Sequence, residues 1–235
     1  MPELRPQLCV HAGADPAAVV LVLHGGRETS AAPVRPNQLA VLRMLPFAAR
    51  VVRHAGRRVA VGRLRYRVRG WNAEPGREPA PVQDAQWALD QLSERFPGRP
   101  IGLIGHSMGG RTALRVSGRP EVAAVAGLAP WLNPAEPVEP VAGRRVLLVH
   151  GTADRMTSPR QTVAFADRLA GQGEPPSLVL IEGEKHAMLH KPRLWHELAA
   201  QFVLSAVLPG FEPSEWPGAP NDWQEALRAP ARLTY

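Results

Sequence analysis

Three residue types with an order and spacing suited to nucleophilic chemistry stand out in this chain. Gly105-His106-Ser107-Met108-Gly109 is a G-x-S-x-G pentapeptide between the apolar run Ile101-Gly102-Leu103-Ile104 and the helix-like Arg111-Thr112-Ala113-Leu114-Arg115-Val116. That context reads as strand, tight turn and helix, the setting a nucleophile elbow needs. A serine hydroxyl becomes a useful nucleophile when a strained turn exposes it beside a base, and the turn closes only if the residues two before and two after it lack side chains. Gly105 and Gly109 meet that need. The carbonyl such a serine attacks also requires a base, an acid that orients the base, and donors for the developing oxyanion.

Candidates for each role follow apolar runs. Val146-Leu147-Leu148-Val149-His150-Gly151-Thr152-Ala153-Asp154 carries an acid just past a buried strand, and Leu178-Val179-Leu180-Ile181 leads through Glu182-Gly183-Glu184-Lys185 to His186. In an open parallel sheet the carboxyl edges of the strands share one side, so Ser107, Asp154 and His186 can converge. Glu136 is a second candidate acid. His190, four residues after His186, is a rival base or half of a metal pair, although a lone i, i+4 pair with no third ligand is weak evidence for zinc. No metal site is expected. His106 is expected to pack beneath the turn. Val22-Leu23-His24-Gly25-Gly26 closes the first strong strand, and the backbone N–H groups of Gly26 and Met108 are the expected oxyanion hole. Trp71, Trp131 and Met108 either line an apolar entrance or pack in the core.

These residues need a scaffold, and the sequence outlines one. Apolar, β-branched runs at Val19–Leu23, Val59–Leu64, Pro100–Gly105, Val122–Leu128, Arg145–His150 and Ser177–Ile181 suit strands buried on both faces of a parallel sheet. Helical spacing fills the intervals Gln38–His54, Val82–Phe96, Ser107–Ser117, Pro159–Ala170 and Leu194–Leu208, with Pro46 expected to kink or split the first. Ser158 is the expected cap of the helix begun by Pro159. Leu8-Cys9-Val10 could add a short edge strand. The class is therefore α/β, a mostly parallel sheet with helices on both faces. Residues 1–208 form the expected domain, and 209–235 a Pro-rich tail either anchored on the body by Trp216 and Trp223 or disordered.

Composition restricts the partners. With 235 residues, 45% hydrophobic and 21% charged, the chain matches an ordinary soluble domain, and no apolar stretch approaches bilayer length. Met1-Pro2-Glu3-Leu4-Arg5 shows no secretory leader and the single Cys9 has no internal disulfide partner, so a cytoplasmic location is expected. The net charge of +7 raises nucleic-acid binding. However, Arg63, Arg65, Arg67 and Arg69 alternate with Leu64, Tyr66 and Val68 as on a strand end with one solvated face, and no nucleic-acid motif accompanies them.

Taken together, His24-Gly25-Gly26, the run Gly105 to Gly110, His150-Gly151-Thr152-Ala153-Asp154 and the late His186 resemble the α/β-hydrolase superfamily, whose triad follows the order Ser, acid, His. The resemblance covers nearly all of residues 1–208. It is nearest to small, capless members, since the usual lid position after Leu128 holds only the segment with Pro130, Pro134, Pro137 and Pro140. It implies hydrolysis of an ester, thioester or amide of a small molecule through an acyl-enzyme, without metal or organic cofactor. Carboxylesterase is the activity expected first. A thioesterase or acyltransferase would use the same residues, and a non-catalytic binding module would need none of them. Substrate and oligomeric state are left open by the sequence.

Overall fold

A computed structural model describes residues 4–235; Met1, Pro2 and Glu3, part of the stretch expected to carry no leader, lie outside the described residues. Fifteen elements follow in chain order: β1 (Gln7–His11), β2 (Ala18–Leu23), α1 (Leu39–Leu42), α2 (Leu45–Ala55), β3 (Val59–Arg65), α3 (Ala80–Arg95), β4 (Ile101–His106), α4 (Met108–Val116), β5 (Val122–Leu128), β6 (Arg145–Gly151), α5 (Pro159–Gly171), β7 (Ser177–Ile181), α6 (Pro192–Val207), α7 (Glu225–Arg228) and β8 (Arg232–Thr234). Among the described residues, eight strands form one sheet in the order β1-β3-β2-β4-β5-β6-β7-β8. Only β1 runs antiparallel to its neighbour.

The central strands are apolar on both faces because both faces are covered. Val20 and Val22 of β2 join one core with Phe47 and Val51 of α2 and Trp195, Leu198 and Phe202 of α6. Val19, Leu21 and Leu23 face the other way, against Leu89 and Leu92 of α3, Leu114 of α4 and Phe165 of α5. The fold class expected from the sequence is therefore the one observed. The order in which strands are added reverses at β2, which has β3 on one side and β4 on the other, both parallel to it. Such a switch point opens a crevice at the carboxyl ends of its strands, and Gly26 and Ser107 follow β2 and β4 there. Between β5 and β6 the Pro-rich segment contains a 3₁₀ turn, Glu139–Val141, and no inserted cap.

Of two local outcomes, the first follows the sequence expectation of a split at Pro46 and the second departs from it. The stretch Gln38–His54 is two helices, with Pro46 in the first turn of α2, where its missing N–H costs no intrahelical bond. The tail is more regular than its composition suggested. Trp216 and Trp223 are buried with ring centroids 4.4 Å apart, α7 follows, and β8 pairs in parallel with β7. Ser158 caps α5 as expected, accepting a hydrogen bond from the Gln161 N–H at 3.3 Å. No helix of the described residues is long and apolar enough to cross a membrane.

One close approach sets the packing of α6 on the sheet. A Cβ on Gly102 of β4 would lie 2.1 Å from Cγ1 of Val203, which is itself fully buried. Gly102→Ala is expected to destabilise the protein by about 1–3 kcal/mol, the usual cost of overpacking. Adding Val203→Ala should recover part of the loss, as read from urea denaturation midpoints.

Candidate active site

The turn after β4 holds Ser107 in a conformation that most side chains avoid. Its φ is 56° and its ψ is −120°, a strained region for any residue but glycine. Backbone bonds hold it there: the Ser107 N–H donates to Leu128 O at 2.9 Å, and Ser107 O accepts from the N–H groups of Arg111 and Trp131, both at 3.1 Å. The flanking glycines are sterically required. A Cβ on Gly105 would lie 2.2 Å from Gly109 O, and one on Gly109 would lie 2.4 Å from Leu23 O. The elbow is thus wedged against the end of β2.

Asp154 lies behind the cavity, with five donors of the described residues converging on its carboxylate. Oδ1 accepts from the N–H groups of Met156 at 2.8 Å and Thr157 at 3.0 Å. Oδ2 accepts from the Thr157 hydroxyl at 2.7 Å and His186 Nδ1 at 2.7 Å, with His150 Nε2 at 3.2 Å. Burial opposes ionisation of this carboxyl, but the hydrogen bonds from His150, His186 and Thr157 outweigh it and hold the group well below the usual carboxylate range. His150, fully buried on β6, is pushed down by burial. Its neutral tautomer with the proton on Nε2 satisfies both contacts, donating to Asp154 while Nδ1 accepts from the Thr162 hydroxyl at 2.7 Å.

The loops carrying Asp154 and His186 are fastened to each other. Ala153 N–H donates to Glu184 O at 3.0 Å, and Thr152 N–H to Ile181 O at 3.0 Å. Buried Glu184 in turn accepts the N–H of Lys185 at 3.0 Å and of Lys191 at 2.8 Å, closing the loop around His186. Arg43, between α1 and α2, donates to Ala187 O of the same loop. His106 packs against His186 with ring centroids 4.7 Å apart, and its Nε2–H donates to His186 O at 3.1 Å. Burial lowers the His106 pKa to about 3, so it is a neutral support for the loop.

Gly26, Ser107, Met108, Trp131 and His186 all line one cavity of about 220 Å³, together with Arg27, Glu28, Met156 and Thr157. Among the described residues, the N–H groups of Gly26 and Met108 have no hydrogen-bond acceptor. A Cβ on Gly26 would lie 2.4 Å from Met108 Sδ and 2.5 Å from Arg69 O. His24 holds the base of this loop: Nδ1–H donates to Gly25 O at 2.7 Å and Nε2 accepts the Tyr66 N–H at 3.3 Å. Burial lowers its pKa to about 4.

Some expected residues are placed elsewhere. Trp71 is not on the cavity wall. It is buried behind Trp131, at 6.1 Å between ring centroids, and the Arg111 guanidinium lies over both rings at 4.2 and 4.8 Å. Glu136, the second candidate acid, is buried against Arg111 at 2.6 Å and Arg115 at 2.7 Å. His190 is largely exposed and faces Glu184 at 3.6 Å. No group of three or more His, Cys, Asp or Glu among the described residues could hold a metal ion. His150 and Thr157 were not singled out by sequence reasoning; the only signal was their placement four residues before and three after Asp154.

Comparison with known proteins sets this architecture beside folds already solved. The family model described as serine aminopeptidase, S33 matches residues 77–146, and that of the prolyl oligopeptidase family matches residues 129–207. Among solved structures, Est1E from Butyrivibrio proteoclasticus with bound ferulic acid superposes with a TM-score of 0.63 at 16% identity, covering 86% of this chain and 95% of that one. XC6422 from Xanthomonas campestris, described as an α/β serine hydrolase without lid, gives 0.62 at 20% identity over 85% and 88%. This chain folds as an α/β-hydrolase. An α/β serine hydrolase homologue from Coxiella burnetii gives 0.63 at 17% identity, covering 83% of this chain and 90% of that one. No curated protein sequence matches this chain.

Two expectations follow. Buried neutral His24 and His106 bind protons less readily folded than unfolded, so their linkage leaves stability intact above about pH 6.5 and removes it as pH falls towards the folded values of about 4 and about 3. Each should cost about 1.4 kcal/mol per pH unit within that window. Urea denaturation at pH 7 and pH 5 reads the slope, and His106→Gln should flatten it. Separately, Thr157→Val removes the hydroxyl donor to Asp154 and should destabilise the protein by about 1–3 kcal/mol, measured by the same denaturation.

Proposed function

We propose that this α/β-hydrolase is a serine hydrolase that cleaves a carboxylic ester of a small molecule through an acyl-enzyme. The observation that carries the reading is the 2.7 Å bond between His186 Nδ1 and the buried Asp154 carboxylate, with His186 and Ser107 on the wall of one cavity. In the proposed first step Ser107 Oγ attacks the ester carbonyl and its proton passes to His186 Nε2. Asp154 holds the Nδ1–H and stabilises the imidazolium. The oxygen that becomes negative collects the N–H groups of Gly26 and Met108. Collapse of the intermediate expels the alkoxide, which takes the proton from Nε2 and departs as the alcohol. Water then attacks the acyl-serine, giving a proton to His186, and Ser107 recovers that proton as the acid is released.

A cavity of about 220 Å³ favours a small acyl group, with Trp131 and Met108 as its apolar side. An amide substrate is the second reading, favoured by the two matching family models, both described as peptidases. Hydrolysis of a panel of p-nitrophenyl esters and matching anilides tests both. Ester turnover should fall by at least about 10³-fold in Ser107→Ala and by about 10⁴-fold in Asp154→Asn. Gly26→Ala, which forces the N–H away from Met108, should cost about 10²-fold in kcat. Anilide turnover exceeding ester turnover would move the assignment to a peptidase, and turnover undiminished in Ser107→Ala would end the serine reading.

A further inference from the structure

A second cavity of about 290 Å³ adjoins the first, and Gly26 and Arg27 belong to the walls of both. Arg69, Gln38, His24 and Leu39 are among its other lining residues, and no acidic residue is. Arg27 and Arg69 are brought together by the backbone, since the Arg27 N–H donates to Arg69 O at 2.8 Å. Their guanidinium groups stand out from the neighbouring arginines. Arg65 donates to Val34 O at 2.7 Å, and Arg67 pairs with Asp84 at 2.8 Å. Among the described residues, the side chains of Arg27 and Arg69 have no hydrogen-bond or ion-pair partner.

Two cations at adjoining backbone positions repel each other unless an anion lies between them. Guanidinium groups bind carboxylate and phosphate oxygens with matching fork geometry. The other cavity walls do not compete for that role. His24 is neutral, with its Nδ1–H committed to Gly25 O and its Nε2 to the Tyr66 N–H. Glu28, the one acid on the wall of the first cavity, does not line the second. Val34, Leu39 and Ala40 supply apolar surface for a short stem.

The geometry points to the second cavity as a subsite for an anionic group of the substrate, a carboxylate or phosphate held by Arg27 and Arg69 while the ester carbonyl sits at Gly26. This deepens, and rests on, the serine-hydrolase reading. It assigns the enzyme to esters that carry a negative charge on the acyl or the alcohol side. The net charge of +7 would raise the encounter rate with such substrates.

Two matched ester pairs test it: mono-p-nitrophenyl glutarate against p-nitrophenyl butyrate for an acyl-side charge, and 4-acetoxybenzoate against phenyl acetate for an alcohol-side charge. In the wild type at low salt, kcat/KM should favour the charged member of at least one pair by about tenfold or more. The ratio should fall to about one in Arg27→Gln/Arg69→Gln, with each single substitution removing part of it. Calorimetric titration of Ser107→Ala with glutarate and with inorganic phosphate reads the subsite without turnover. Binding of either that disappears when both arginines are replaced supports the proposal and tells carboxylate from phosphate. Absence of charge preference in both pairs, or a preference or anion affinity that survives both substitutions, overturns it. Failure of the wild type to hydrolyse any ester would instead remove the serine-hydrolase reading, with the titration still deciding whether the arginines bind an anion.

Discussion

A single buried negative charge organises the carboxyl edge of this sheet. Asp154 is 7% exposed, and a carboxylate taken out of water is tolerated only when donors replace the lost hydration. Its own loop provides three, at Met156 N–H and at the N–H and hydroxyl of Thr157. The last residues of β6 provide His150, and the loop after β7 provides His186. Three segments are therefore fixed relative to one another by the need to solvate one ion. The same carboxylate, with the His106 ring packed alongside, sets the orientation of the His186 ring.

The second constraint is steric and acts on the other half of the cavity. Gly105, Gly109 and Gly26 are places where backbone or Met108 passes within a distance that a Cβ would block. The strained Ser107 turn persists because the end of β2, the carbonyl of Leu128 and the Trp131 N–H surround it. Charge thus positions one side of the cavity and the absence of side chains positions the other. The two halves meet where His106 lies against His186 and holds its carbonyl.

Most of this architecture was legible in the sequence because it depends on short-range pattern. Continuous apolar runs announced strands covered on both faces, and small residues around Ser107 announced a turn with no room for side chains. What escaped depends on partners distant in the chain. β8 is a three-residue strand with no period of its own, and it is a strand only because β7 lies beside it. Trp71 and Trp131 are chemically equivalent in sequence, and only the folded chain shows that Trp71 is buried packing while Trp131 lines the cavity. Glu136 resembled a spare acid until Arg111 and Arg115 were seen to enclose it. His150 gave no clue beyond its distance from Asp154, since a histidine ending a buried strand reads as a side chain at a sheet edge.

Trp131 has a double attachment: its backbone N–H is bonded to the Ser107 carbonyl while the residue lines the cavity that contains that serine. Of the tryptophans, it is the one on that wall: Trp71, Trp195, Trp216 and Trp223 are buried and Trp87 is exposed elsewhere. An indole so placed feels both the filling of the cavity and any shift of the turn beneath it. The molecule therefore carries an intrinsic optical gauge at its centre, read as the part of the six-tryptophan emission that Trp131→Phe removes.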